Sequence, residues 1–176
     1  MDIKSKSTRH SKICGDFGEA LILYWLSKAR FECATVDHTG IDIIAQSIDD
    51  TNEVWGISVK SRTRYKGTER ESVSISYDNF TKAQAACDFF QCKPYFAIVV
   101  DGGDQIIALL MTMEHFMSLM NRGVSSAFWP MSRKALASYK DDPNVRMIII
   151  NNDSQVKDKW WKTCTDQMRD NSTVEA

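Results

Sequence analysis

Polar and apolar positions along this chain change period several times, and each change marks a predicted element. Over "GDFGEALILYWLSKAR" the residues Phe17, Leu21, Tyr24 and Trp25 recur at helical spacing, with Ala20 and Leu23 widening the stripe. That spacing predicts a helix from Phe17 to about Ala29, with Asp16 placed to cap its first turn. Residues 1–14 have no periodicity; Lys4, Lys6, Arg9 and Lys12 mark them as a flexible basic arm. The period then drops to two. "FECATV" predicts a short strand, and "GIDIIAQSI" a second with Ile41, Ile43 and Ala45 on one face and Asp42, Ile44 and Gln46 on the other. "DDTN" is a turn, and "EVWGISVKSR" a third strand with Val54, Gly56, Ser58 and Lys60 opposite Trp55, Ile57 and Val59.

After the brief β-like "VSIS", a helix is expected at "YDNFTKAQAACDFFQ", where Phe80, Ala83, Ala86, Cys87 and Phe90 align. "PYFAIVV" and "QIIALLM" read as buried strands joined by "DGGD". "TMEHFMSLMN" reads as a short helix capped by Thr112, with Gly123 just beyond its end. "VRMIIIN" predicts one more strand and "DKWWKTCTDQM" a last helix, ahead of a disordered tail over 169–176. No linker divides the chain, so residues 15–168 are expected to form one domain. Antiparallel strands followed by a helical crossover imply an α/β fold, with a mixed central sheet flanked by helices.

Composition narrows the class. The chain is 43% apolar and 26% charged, and no run approaches the roughly 18 apolar residues of a membrane span. The polar N-terminus lacks the apolar centre of a secretory signal, so a cytoplasmic location is expected. Five scattered cysteines without a C-x-x-C pair predict reduced thiols rather than a disulfide framework or zinc site. The net charge of −1 gives no global attraction to nucleic acid. Arg62, Arg64, Lys66 and Arg70, with Tyr65 among them, are nevertheless concentrated just past the third strand, where they are candidate phosphate contacts. The alternative is a solvated hairpin.

The candidate chemistry lies on three predicted elements. Asp42 stands in an apolar run, flanked by Ile41, Ile43 and Ile44, where an unpaired carboxylate is costly. It comes early in its strand and Lys60 late in the next, so an antiparallel hairpin sets them side by side. Glu19, one turn into the first helix, is able to reach the same spot. Two carboxylates and a lysine suit divalent-metal phosphodiester hydrolysis: hard oxygens hold the metal, and the lysine orients or polarises the nucleophile. Asp37 and His38 are nearby candidates for extra charge or a base. Each residue also has a plainer reading: Glu19 as a surface ion-pair partner, Asp42 and Lys60 as a structural pair, Trp160 and Trp161 as core anchors, and Met111, Met113, Met117 and Met120 as core filler or a subunit contact.

In that order, "GDFGEALILYWL" with Glu19, "GIDIIA" with Asp42 and "ISVKSR" with Lys60 resemble the PD-(D/E)XK nuclease superfamily. The match runs from about Gly15 to Val100 and looks nearest to the Holliday-junction-resolvase and Mrr-like branches. The resemblance implies a restriction-endonuclease-like αβββαβ core and a DNA-cleaving activity dependent on Mg²⁺ or Mn²⁺. It implies Asp42 as the central metal ligand, Glu19 and the Val59 carbonyl as supporting ligands, Lys60 as the catalytic lysine, and DNA and a second copy of the chain as partners. Ser58 departs from the pattern, because it stands where the superfamily puts a second acidic or Gln ligand. The expected consequence is weak metal binding. The rival expectation is a nuclease-like scaffold that binds nucleic acid or a protein without cutting.

Overall fold

The apolar strand of residues 54–63 and the one of residues 93–101 lie side by side and parallel at the middle of the molecule, and the other elements are added to either side of that pair. The structure is a computed structural model that describes residues 7–65 and 67–151. Its elements are α1 (His10–Lys28), β1 (Phe31–His38), β2 (Ile41–Ser47), β3 (Val54–Thr63), β4 (Val73–Ser76), α2 (Tyr77–Phe90), β5 (Lys93–Asp101), β6 (Gln105–Thr112), α3 (Met113–Leu119), β7 (Asn121–Arg122), β8 (Ser126–Trp129), α4 (Arg133–Asp141) and β9 (Arg146–Asn151). A six-stranded sheet runs β1-β2-β3-β5-β6-β9, with β3 parallel to β5 and the other neighbours antiparallel. This is the expected mixed central sheet flanked by helices. The parallel pair requires a crossover, and α2 supplies it.

Each face of the sheet has its own core. Ile22 and Leu26 of α1 pack on Ile43, Ala45, Trp55, Ile57, Val59 and Ala97. On the opposite face, α2, α3 and α4 cover Phe96, Ile98, Val100, Leu109 and Met111. There an aromatic stack runs from Phe80 through Phe96, Phe116 and Trp129 to Tyr139, with successive ring centroids 4.9, 5.3, 4.4 and 4.7 Å apart. Fully buried rings of this size contribute on the order of 2 kcal/mol each. Met111 and Met113 are buried in this core, and Met117 and Met120 pack against it.

Several elements differ from expectation. Helix α1 begins at His10, about two turns before Phe17. Lys12 pairs with Asp16 at 2.9 Å, and His10 Nε2 bonds Thr63 Oγ1 at 3.0 Å, so contacts within the helix and to β3 order a stretch that has no apolar period. Asp16 is thereby an ion-pair partner and not a cap. Gly123 belongs to the β7–β8 turn rather than to a helix end, and β8 and α4 are additions. "SAFW" is too short for a period to show, and α4 buries only Leu136 and Tyr139. β4, β8 and β7 form a separate three-stranded sheet. Ile41 also leaves the face of Ile43 and Ala45: it packs with Ala86 and Cys87 under α2, next to the bulge in β1 between Thr35 and His38. Lys66, the tail over 169–176, and the "DKWWKTCTDQM" helix with Trp160 and Trp161 lie outside the described residues.

At the far end of β3, Glu53 accepts hydrogen bonds from Trp55 Nε1 (2.7 Å), Lys93 Nζ (2.7 Å) and the Tyr95 hydroxyl (3.0 Å). Burial pushes the Glu53 pKa up, but the bonds from Lys93, Tyr95 and Trp55 outweigh it and hold the carboxylate below its usual range. A carboxylate depressed in the folded state stabilises above its unfolded pKa, and that contribution is lost as pH falls through the folded value. Glu53→Gln is therefore expected to be less stable than the wild type at pH 7, with the two denaturation midpoints converging below about pH 4. A constant gap across that range would refute the assignment.

Candidate active site

Strands β2 and β3 part company at the residues that matter. Their register pairs run from Gln46↔Val54 to Ile43↔Ile57, which leaves Asp42 and Ser58 just past the end of the ladder. Where the next strand bond would form, the Asp42 side chain takes over, and its Oδ2 accepts the Val59 N–H at 2.6 Å. A bond this short from a carboxylate to an amide is charge-assisted. It satisfies an amide that the divergence would otherwise orphan. Gly40, at φ +114°, makes the approach to this point possible. A side chain there would collide with the backbone carbonyl of Lys82 in α2.

Helix α1 brings Glu19 to the same end of β3. Gly18 lies against Ser61 and Val59, and a Cβ on it would overlap the Ser61 hydroxyl. Glycine at this position lets the helix sit low on the strand, with Glu19 close enough to Asp42 to feel its charge. Burial raises the Glu19 pKa, and the negative charges of Asp42 and Asp16 raise it further against Lys12 and Lys60. Ser61 Oγ, under the helix, is buried with no hydrogen-bond partner among the described residues.

Lys60 stands on the α2 side of β3, and its Nζ donates to Ser58 Oγ at 2.9 Å. Ser58 is 1% exposed and is the buried polar residue of the sheet's centre among the described residues. Burial lowers the Lys60 pKa and Arg62 lowers it further, while Asp42 and Glu19 pull it back up. The three charged residues thus act on one another electrostatically, and Ser58 serves as the lysine's hydrogen-bond acceptor.

The residues around this centre divide. His38 packs edge-on against Phe90, with centroids 5.2 Å apart, an aromatic contact rather than a ligand geometry. Arg62 is exposed and reaches the carbonyls of Ser61 (2.8 Å) and Ser74 (3.3 Å). Arg64 staples the following loop, donating to the carbonyls of Glu71 (3.1 Å) and Ser72 (2.9 Å), with its side chain only 15% exposed. That leaves it poorly placed to meet a phosphate. Among the described residues no group of three or more His, Cys, Asp or Glu side chains forms a metal cage. The hard donors at this point are the carboxylates of Glu19 and Asp42, the latter held through Oδ2 by the Val59 amide. A partly open apolar cavity of about 160 Å³ lies elsewhere, between α1 and β6–β9, lined by Trp25, Leu26, Leu110 and Ile148, and offers little for polar chemistry. The close approaches that Gly18 and Gly40 permit exist only once α1 and α2 are docked.

Two neighbouring carboxylates are a stability cost that a cation relieves. A raised folded pKa means that Glu19 favours the folded state while protonated, and that this advantage disappears as pH rises through the folded value. Glu19→Gln is expected to melt higher than the wild type at pH 7, with the difference vanishing below about pH 4.5. Thermal melts at both pH values check this, and a variant that melts lower at pH 7 would contradict the crowding.

No family model matches the chain, and no curated protein matches it. Among solved structures it is similar to Hjc, a Holliday junction resolvase from the archaeal hyperthermophile Archaeoglobus fulgidus. The two share 16% identity over 68% of this chain and 91% of that one, with a TM-score of 0.48. The reading of the site rests on the distances above and not on that likeness.

Proposed function

We propose that this chain is a metal-dependent nuclease that hydrolyses phosphodiester bonds in DNA. The observation that carries the reading is the meeting of Asp42, Glu19 and Lys60 where β2 and β3 diverge, with Asp42 fixed by the Val59 amide. The donor set fits a hard divalent ion: Glu19 and Asp42 would hold Mg²⁺ or Mn²⁺, with the Val59 carbonyl as a backbone ligand. Bound there, the ion supplies Lewis acidity toward the phosphate and a water activated for attack. The protein's own contribution is positioning. The bond to Val59 orients the Asp42 carboxylate. Ser58 holds the Lys60 ammonium by its Nζ, and burial lets that nitrogen exchange its proton more readily than an exposed lysine. Arg62 and Arg70, with Lys66, form the phosphate-contacting set that makes binding salt-dependent, and Arg64 ties the end of β3 to the segment at Glu71 and Ser72.

A homodimer belongs to this reading. The methionines are used in the core, so the face is assigned instead to α1, where Ile13, Phe17 and Tyr24 are exposed along one side. Light scattering on the purified chain should give twice the monomer mass, and Phe17→Asp should halve it. A wild-type monomer at micromolar concentration removes this element.

One observation favours a second reading, a scaffold that binds without cutting: the position of a third ligand is taken by Ser58, a neutral hydroxyl already engaged by Lys60. Cleavage assays decide between the two. With Mg²⁺ or Mn²⁺ and plasmid, branched and single-stranded DNA, Asp42→Ala and Lys60→Ala should each lose at least about a hundredfold in rate. Ser58→Glu should tighten metal binding by calorimetry. Absence of cleavage in the wild type, or cleavage indifferent to Asp42→Ala, selects the second reading.

A further inference from the structure

We propose that the outer face of the β4–β8–β7 sheet is a stacking platform for an unpaired nucleic-acid strand, with Phe128 as the ring on which a base rests. The proposal rests on the reading of the chain as a nuclease and adds the class of substrate: a strand that is unpaired beside the scissile phosphate.

Alternation in β8 buries Ala127 and Trp129 and turns Phe128 outward, 41% exposed. β8 is the middle strand, and the register sets Ser74 of β4 on one side of Phe128 and Asn121 of β7 on the other. The neighbours that share this face are thus short and polar, and they leave the ring uncovered. The ring is also held in place. A Cβ at Gly123 would lie 2.6 Å from Phe128 Cε2, so the phenyl group rests across the glycine backbone. The turn beneath it is tied down: Gly123 N–H donates to the Ser126 carbonyl at 2.9 Å, and the Tyr77 hydroxyl donates to the Gly123 carbonyl at 3.0 Å. One residue further along β8, Trp129 locks the strand into the aromatic stack between Phe116 and Tyr139. A rigid, open ring on an ordered strand loses little entropy when a base stacks on it. Val124, fully exposed at the tip, extends the apolar surface.

Charge and position select the partner. The strands β4, β7 and β8 contain no acidic residue. Arg62 marks the β4 border by its hydrogen bond to the Ser74 carbonyl, while Arg122 of β7 pairs with Ala127 and so belongs to the other face. Arg62 is also two residues beyond Lys60 on the same side of β3, so one arginine links the candidate catalytic lysine to the platform. Ser74, whose carbonyl Arg62 holds at 3.3 Å, is the register partner of Phe128, so the ring is one strand away from the point where the β3 arginine meets the platform. A single aromatic ring bordered by guanidinium, hydroxyl and amide groups fits a base and its phosphates, whereas a protein interface would need a larger continuous apolar area. A base inside a duplex is already stacked on both faces, so the partner strand is unpaired.

Fluorescence anisotropy on the full chain, in EDTA, with labelled oligo-dT and a labelled duplex tests this. Phe128→Ala should weaken oligo-dT binding roughly five- to a hundredfold, Phe128→Trp should keep or tighten it, and duplex affinity should stay within about twofold. Three results overturn the platform: Phe128→Ala binding oligo-dT as well as the wild type, Phe128→Trp failing as Phe128→Ala does, or the wild type not binding oligo-dT at all, which would leave the face to a protein. A wild type that binds through Phe128 but never cleaves DNA keeps the platform and removes only the hydrolytic reading. Cleavage that occurs with oligo-dT binding indifferent to Phe128 does the reverse.

Discussion

The bond from Val59 N–H to Asp42 is the constraint from which the rest of the site follows. A sheet whose strands separate must satisfy the amides it exposes, and water is the usual partner. Here a half-buried carboxylate does it, so a charged side chain completes the backbone hydrogen bonding. Replacing Asp42 by alanine would remove a charge and strand an amide together, whereas asparagine would remove the charge and leave an acceptor for the amide. Position 42 is therefore bound to the architecture as well as to the chemistry, and the reversal of Ile41 onto the α2 face shows how sharply the strand turns to present it.

Given that fixed carboxylate, the positions of Glu19 and Lys60 follow from how closely two helices approach the sheet. Gly18 lets α1 settle onto Ser61, and Gly40 lets the β1–β2 turn reach α2. Each glycine removes a side chain at a point of near contact, and each lies within two residues of a carboxylate of the site. The electrostatic result is a group of charges under strain: a carboxylate raised by burial and by its acidic neighbours, and an ammonium lowered by burial. Folding alone gains nothing from such a group, which is a common mark of a site shaped for a ligand.

Much of this was legible in the chain itself. The alternation of β3 is strong enough to put Ser58 and Lys60 on one face and Trp55, Ile57 and Val59 on the other, and the structure keeps that division because the two faces bury different cores. The six strands of the main sheet and α2 stand where their periods put them. What was hidden depends on tertiary contact. The early start of α1 comes from an ion pair and a bond to Thr63, neither of which leaves a hydrophobic period. β8 is too short to show alternation, although its in-out pattern is what exposes Phe128. Arg64 reads as one more cation in a basic run, and only the fold shows its guanidinium turned to its own loop.

Ser58 is where sequence and structure together give more than either alone. By letter it is a missing charge. In place it is a fully buried hydroxyl two residues before Lys60 on the same strand face, and the ammonium donates to it. A carboxylate there would pair with Lys60 and hold it firmly protonated. A hydroxyl accepts the same hydrogen bond without that electrostatic hold, so the lysine keeps its place while its proton is bound less tightly. The buried hydroxyl thus fixes the geometry of Lys60 without setting a further charge beside it.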